Sequence, residues 1–363
     1  MSNGTRWVGL DVHAQRTAVA VVDDSTGEIM KKTIYGRPHE VLPYLESLER
    51  PVRSVYEAGP TGYGLARQGR ERGVDVQVCA PGLIPAGGPG SRIKTDARDA
   101  MKLARLLAAG QLTMVTVPTV EQENVRDLIR AREDARGDLM RARHRIGKLL
   151  LRREIYWTGP QGAWTMAHRD WLNGLRFDDP ASEATFQDYL HAHDALLNRR
   201  DQLDRSIEQV ASDCVFTDQV VGLRCMRGIS TLTALGLCAE VRSFERFAKP
   251  TQLSAFLGIV PSENTTGDKR RLGSITRAGS VHARRLLVEA AWHYRKPPRM
   301  SSTLRQRQKD APPAAIDCAW RAQRRLYQRW QRLEVERGKR PAIVAIAVAR
   351  ELSHFCWETA QTT

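Results

Sequence analysis

The hydrophobic period changes once along this chain, and that change limits the fold more than any other feature. Up to about residue 115, apolar and β-branched residues come in short, strand-length runs broken by turn residues. From Thr119 onward they recur every three or four positions. The pattern predicts an α/β layer followed by an all-α remainder.

The first runs cover 7–12, 17–22 and 29–35, and the second ends at the turn sequence Asp23-Asp24-Ser25-Thr26-Gly27. Their short connections predict a three-strand meander. Pro38 then opens a helix to about residue 48, 52–56 is a fourth strand, 62–72 a helix and 74–78 a fifth strand. Thr95 caps a helix reaching about residue 109. The order βββαβαβα is that of a ribonuclease H-like layer, a mixed sheet with helices on both faces.

Thr119 and Gln122 form a capping box for a helix of roughly 35 residues, with Val125, Ile129, Leu139 and Ile146 on one stripe. A second stretch at 181–211 carries Leu190, Leu197, Leu203 and Ile207. Together they predict an antiparallel coiled-coil hairpin through which two protomers pair. Farther on, the glycine-containing turn at 224–230 before an apolar helix at 231–241 resembles a helix-hairpin-helix element, whose turn amides contact backbone phosphate. Three domains are expected: 1–115, a long helical region at 116–215, and a basic helical domain at 216–363.

Charge divides along the same line. The chain of 363 residues has a net charge of +15, of which residues 1–100 carry only +1. Residues 261–310 alone hold 12 basic and 4 acidic side chains. An acid-balanced first domain joined to a basic remainder suits catalysis beside a polyanion-binding surface; solubility and frequent use of Arg are the alternative. The 42% hydrophobic content excludes a disordered chain. Six scattered cysteines without a CxxC pair predict reduced, mostly buried thiols in a cytoplasmic protein. No run approaches the ~20 apolar residues of a membrane span, and the first residues lack a signal-peptide pattern.

Four carboxylates stand where such a sheet can gather them. Asp11 lies near the end of the first strand, Glu57 directly follows the fourth, and Asp96 and Asp99 are spaced i, i+3 on one helical face. Acidic residues in a first helical turn also complement the helix dipole. That accounts well for Asp96 and less well for Asp99, and it leaves Asp11 and Glu57 unexplained. Such a set can hold a pair of Mg²⁺ ions ~3.5–4 Å apart that clamp the attacking and leaving oxygens of a phosphodiester; Mn²⁺ can substitute. Lys94 flanks the set and suits a scissile phosphate. His13 either reaches the same site or faces solvent.

The segment 258–271 reads Gly-Ile-Val-Pro-Ser-Glu-Asn-Thr-Thr-Gly-Asp-Lys-Arg-Arg, and Arg277, Arg284 and Arg285 follow it. A hydroxyl in this segment can attack a phosphodiester while Lys269, Arg270 and Arg271 stabilise the transition-state charge. A glycine-rich loop that contacts DNA without specificity is the alternative.

Gly9-Leu10-Asp11-Val12-His13, Glu57-Ala58-Gly59-Pro60-Thr61-Gly62 and Lys94-Thr95-Asp96-Ala97-Arg98-Asp99 resemble the N-terminal motifs of Piv/MooV-type recombinases, the transposases of the "one-ten" family of insertion sequences. Residues 228–240 and 258–292 resemble that family's C-terminal domain, so the likeness runs from residue 8 to about 294. The resemblance implies a Holliday-junction-resolvase-like domain whose DEDD set is Asp11, Glu57, Asp96 and Asp99. It also implies a helical domain whose serine nucleophile forms a 5′-phosphoserine link to DNA. Partners implied are donor and target DNA, a structured non-coding bridge RNA that guides both, and a homodimer that assembles into a homotetramer with composite sites. The cytoplasmic setting becomes the nucleoid DNA of a prokaryote. One position departs: where the family has serine before glycine, this chain has Thr266 before Gly267. Thr266 as nucleophile, Ser262 in its place, and an attenuated enzyme all remain open. The reading is an RNA-guided DNA recombinase. A metal-dependent junction endonuclease without a covalent intermediate is the alternative, and an architectural nucleic-acid-binding protein is a third.

Overall fold

Strand alternation separates two faces of the N-terminal sheet, one packed with bulky residues and one kept small. In the computed structural model, which describes residues 4–48, 51–85, 95–264 and 271–362, the chain divides into two compact units, Met1–Thr119 and Val120–Thr363.

In the first unit β1 (Arg6–Val12), β2 (Arg16–Asp23) and β3 (Ile29–Tyr35) form the antiparallel meander. After α1 (Leu42–Ser47), β4 (Val52–Glu57) pairs in parallel with β1; after α2 (Gly64–Glu71), β5 (Val76–Cys79) pairs in parallel with β4. The resulting order, β3-β2-β1-β4-β5, is the mixed ribonuclease H-like sheet that the strand pattern predicts. Val8, Leu10, Val19, Val21 and Tyr56 point to one face and fill the larger core with Leu42, Leu45 and Leu65.

The other face carries Gly9, Ala18 and Ala20, and α3 (Asp96–Ala108) lies directly on it. A Cβ on Gly9 would stand 1.9 Å from the Ala100 carbonyl oxygen and 2.5 Å from the Ala104 nitrogen, so helix and strand backbones touch. Because side chains alternate at period two, Asp11 shares the face of Gly9, and Glu57 shares the face of Val55. Val55 itself packs on Leu103 and Leu107 of α3. Parity alone therefore turns both carboxylates toward α3.

The second unit is helical apart from one two-stranded ribbon. Its elements are α4 (Val120–Leu151), α5 (Met166–Gly174), α6 (Pro180–Ser212), α7 (Thr217–Leu223), α8 (Thr231–Val241), α9 (Pro250–Phe256), β6 (Pro261–Glu263), β7 (Leu272–Ile275), α10 (Val281–Ala291), α11 (Ser302–Gln308), α12 (Pro313–Gln331) and α13 (Pro341–Gln361). α8 is buried along most of its length, with α4, α6, α7 and α10 packed against it. α4 and α6 run antiparallel: Arg132 meets Asp204, Asp138 meets Arg199 and Arg143 meets His193, stepping in opposite directions. On α4 Ala135, Leu139 and Ala142 are buried along this stretch, while on α6 Leu196, Leu197 and Leu203 stay half-buried. The basic tail belongs to the core. α12 begins eight residues before Arg321, and Leu326 and Trp330 are fully buried against α13. Glu240, at the end of α8, is 9% exposed; despite its burial, the His282 ring and the Arg130 guanidinium hold its carboxyl down at about 2.

All six cysteines are free thiols, and among the described residues no helix is long and apolar enough to cross a membrane.

The Gly9 contact leaves no room for a methyl group, because a backbone carbonyl rather than a flexible side chain stands in the way. Gly9→Ala is expected to destabilise the first unit by about 3 kcal/mol, read as a lower urea midpoint for its transition. An unchanged midpoint would show that α3 is free to lift off β1.

Candidate active site

A cleft of about 590 Å³ opens beside the ends of β1 and β4, at the start of α3. Asp11, Glu57, Asp96 and Asp99 all line it, together with His13 and Lys102. Asp11, His13 and Asp96 offer ligand atoms that all lie within 4.8 Å of one another.

Each side chain arrives for a local reason. The α3 helix is capped by Thr95, whose hydroxyl accepts from the Arg98 amide at 3.4 Å, so neither aspartate is needed as the cap. Asp96 instead turns to Arg16, 2.8 Å away, and to His13 Nε2 at 3.7 Å. His13, left open by the sequence, also stands 3.4 Å from Asp11. Burial raises the Asp11 carboxyl above its ordinary range; His13 opposes that shift, and the negative charges of Asp96 and Asp99 add to it. Sequence reasoning singled out neither Arg16 nor Lys102. Lys102 follows Asp99 by one helical step on the same face. Arg16 shares the sheet face of Ala18, the residue paired with Asp11.

Lys94, Thr266, Lys269 and Arg270 lie outside the described residues. Ser262 is exposed on β6, opposite β7, and a Cβ on Gly273 would stand 2.5 Å from its hydroxyl oxygen. Arg271 and Arg277 are exposed at the two ends of the β7 limb. The limbs are pinned at their base by Gly258 at φ +65° and Gly279 at φ +66°, where a Cβ would strike backbone at 2.2 Å and 2.1 Å respectively. Arg284, 9% exposed, donates across the same base to the Leu257, Ala278 and Gly279 carbonyls. Arg285 is engaged by Glu133 at 2.5 Å and by Glu289 at 2.7 Å.

A ribonuclease H-like sheet that gathers carboxylates at the end of its first strand defines a metal-dependent phosphoryl-transfer enzyme. Residues 222–305 match the family model described as transposase, IS116/IS110/IS902 family, and residues 8–153 match a model for DEDD transposases of the IS110 type. The y4qE protein of Sinorhizobium fredii is 37% identical across 98% of this chain and 90% of its own length. The transposase for insertion sequence element IS1533 of Leptospira borgpetersenii is 33% identical, covering 92% and 98% respectively. The transposase for IS1111A of Coxiella burnetii is 28% identical over 54% of each chain. This chain belongs to the IS110 family of transposases, the group related to the Piv/MooV recombinases.

The donor set fits a hard divalent cation. Asp11 and Asp96 are carboxylates, Glu57 and Asp99 line the same cleft, and the Arg16 guanidinium and the His13 ring lie beside them. A divalent ion held there polarises a phosphoryl oxygen and lowers the pKa of a coordinated attacking group. Lys102 adds a fixed positive charge at the wall, suited to a non-bridging phosphate oxygen.

Asp11→Asn keeps the shape and removes one ligand charge. Divalent-ion affinity, titrated calorimetrically with Mn²⁺, is expected to fall at least about tenfold, ~1.4 kcal/mol, with the metal-free melting temperature retained. Unchanged affinity would remove Asp11 from the ligand set.

Proposed function

We propose that this transposase is an RNA-guided DNA recombinase that cuts and rejoins strands through a covalent link to a hydroxyl side chain. The observation that carries the catalytic half is the Asp11–His13–Asp96 cluster in a cleft shared with Glu57 and Asp99. In this reading the four carboxylates are the ligand set for Mg²⁺, with Mn²⁺ able to substitute. Lys94 and Lys102 hold the scissile phosphate.

The attacking hydroxyl is assigned to Thr266, at the position matched to the family's serine, with Ser262 of β6 as the alternative. The Thr266 Oγ1 bonds to phosphorus and loses its proton. The bond to the 3′ oxygen breaks, that oxygen is protonated, and a 5′-phosphothreonine remains. Attack by a 3′-hydroxyl of the second strand reverses the step and restores Thr266. The pinned base of the ribbon, closed by Gly258, Gly279 and Arg284, supports this role. Lys269, Arg270, Arg271 and Arg277 are assigned to the transition-state phosphate; Arg284 and Arg285 hold the surrounding backbone and helices.

Donor and target DNA are the substrates, and a structured non-coding RNA supplies base selection by pairing. Domain boundaries at 115 and 215, a helix-hairpin-helix role for the turn before α8, and a nucleoid setting belong to the same reading. The half-buried Leu196, Leu197 and Leu203 support pairing of the α4–α6 hairpin with a second copy, as a dimer that assembles into a tetramer.

Two measurements test the proposal. RNA co-purifying after a high-salt wash and DNase treatment is expected to be one discrete species encoded beside the gene, because non-specific contacts fall away steeply with salt. No enriched species would overturn guidance. A protein–DNA adduct that survives denaturation is expected with wild type, is retained or increased in Thr266→Ser, and is lost in Thr266→Ala. Cleavage without any adduct would leave the junction endonuclease, in which water attacks. An adduct persisting in Thr266→Ala would move the nucleophile to Ser262.

A further inference from the structure

A groove of about 1230 Å³ is lined by Arg227, Gly228 and Ser230 of the turn before α8, the turn given a helix-hairpin-helix role above. It is built entirely within the second unit, between the turn before α8 and the loop that joins α10 to α11. Its lining includes Arg227, Lys296, Arg299, Arg307 and the His293 ring, and no carboxylate. The hydroxyl run Ser301-Ser302-Thr303 completes one wall.

The cations are held in place from below. Arg227 donates to the Lys296 carbonyl at 3.2 Å and to the Pro297 carbonyl at 2.7 Å, tying the turn to the loop. Arg307 donates to the Ile229 carbonyl at 3.1 Å, and the Arg299 amide donates to Gln323 of α12 at 3.2 Å. Gly228 has φ +84°, and a Cβ there would stand 2.7 Å from the Ala290 carbonyl oxygen, so the turn sits hard against α10. Pro297 and Pro298 further restrict the loop. Within this frame the Lys296 ammonium and the Arg299 guanidinium are exposed, and neither has a side-chain partner among the described residues.

The groups are close enough to act on one another. Burial pulls the Arg227 guanidinium below its ordinary value, and Arg299 adds to that; burial, Arg227, Lys296 and Arg307 do the same to the His293 ring. Crowded like charges in a preformed concave surface favour a polyanion, because each phosphate that enters relieves the repulsion and releases counterions. The α8 helix begins at Ser230 on the same wall.

We propose that this groove is a clamp for the phosphodiester backbone of a nucleic-acid strand, separate from the carboxylate cleft and from the hydroxyl ribbon. The rigid frame sets the path of the strand, while Lys296 and Arg299 supply the contacts that depend on salt. The clamp reads no sequence, since phosphates carry none. DNA and the guide RNA share this chemistry, and the test separates them.

The full chain is titrated by fluorescence anisotropy with a labelled duplex DNA and, in a second arm, a labelled single-stranded RNA, across a range of salt. The variant pair is Lys296→Glu with Arg299→Glu. Its control is Arg337→Glu with Lys339→Glu, an equal charge change at exposed positions far along the tail. The groove pair is expected to bind at least about tenfold more weakly than the control, with the log–log salt slope reduced by roughly two phosphate contacts. Loss in one arm alone names the strand that occupies the groove; loss in both assigns it to either backbone. Equal binding by groove pair and control in both arms overturns the proposal. The neutral pair Lys296→Gln with Arg299→Gln gives the same comparison should the acidic pair perturb folding. The readout is affinity alone, so it stands whether or not Thr266 proves to be the nucleophile.

Discussion

One backbone contact organises the first unit. With no side chain at Gly9, and with Ala18 and Ala20 beside it, α3 lies flat on the sheet, its Ala100 carbonyl where a Cβ would otherwise be. That closeness brings Asp96 to the end of β1, within reach of Asp11. A bulkier face would raise α3 by a side-chain layer and pull the aspartates apart. The small-residue face is therefore part of the site, even though it contributes no functional group.

Electrostatics at the cleft follows from that geometry. Two carboxylates on neighbouring backbones repel, and burial adds to the cost of charging Asp11. The Arg16 guanidinium, 2.8 Å from Asp96, offsets part of that charge, and the His13 ring stands against both. A bound divalent ion would replace part of that neutralisation, and Arg16 and His13 would then be partly released from Asp96 and Asp11. The same residues thus contribute to the charge balance that an incoming phosphate meets.

Much of this was legible beforehand, for identifiable reasons. Period-two runs located all five strands to within two residues, and Thr95 marked the start of α3 because an N-cap is a local chemical event. Asp11, Glu57, Asp96 and Asp99 stood out because strand ends and an i, i+3 pair are written in order along the chain. Arg16 did not, since its role depends on a strand pairing that brings it opposite the end of β1. In the basic tail, charge masks a buried stripe. Arg321, Arg324 and Arg325 lie on the outer side of α12, while Ala315, Ala319, Ala322, Leu326 and Trp330 form a continuous buried stripe beneath them. The cationic groove was the least legible feature, because its lining comes from two segments some seventy residues apart and only the folded loop brings them together.

The long hairpin of the second unit is held differently along its length. α4 has 32 residues, an extent of about 48 Å. Its first turns, through Val125 and Ile129, are part of the main helical core, and its last, through Ile146, Leu149 and Leu150, are part of a smaller core with α5. Between them α4 buries Ala135, Leu139 and Ala142, α6 buries no residue between His193 and Ile207, and ion pairs such as Arg132–Asp204 bridge the seam. Apolar ends are indifferent to salt, whereas exposed ion pairs weaken as the Debye length shortens. The hairpin is thus a beam clamped by apolar cores at both ends, whose middle joins buried α4 side chains to ion pairs and so loosens only in part as ionic strength rises.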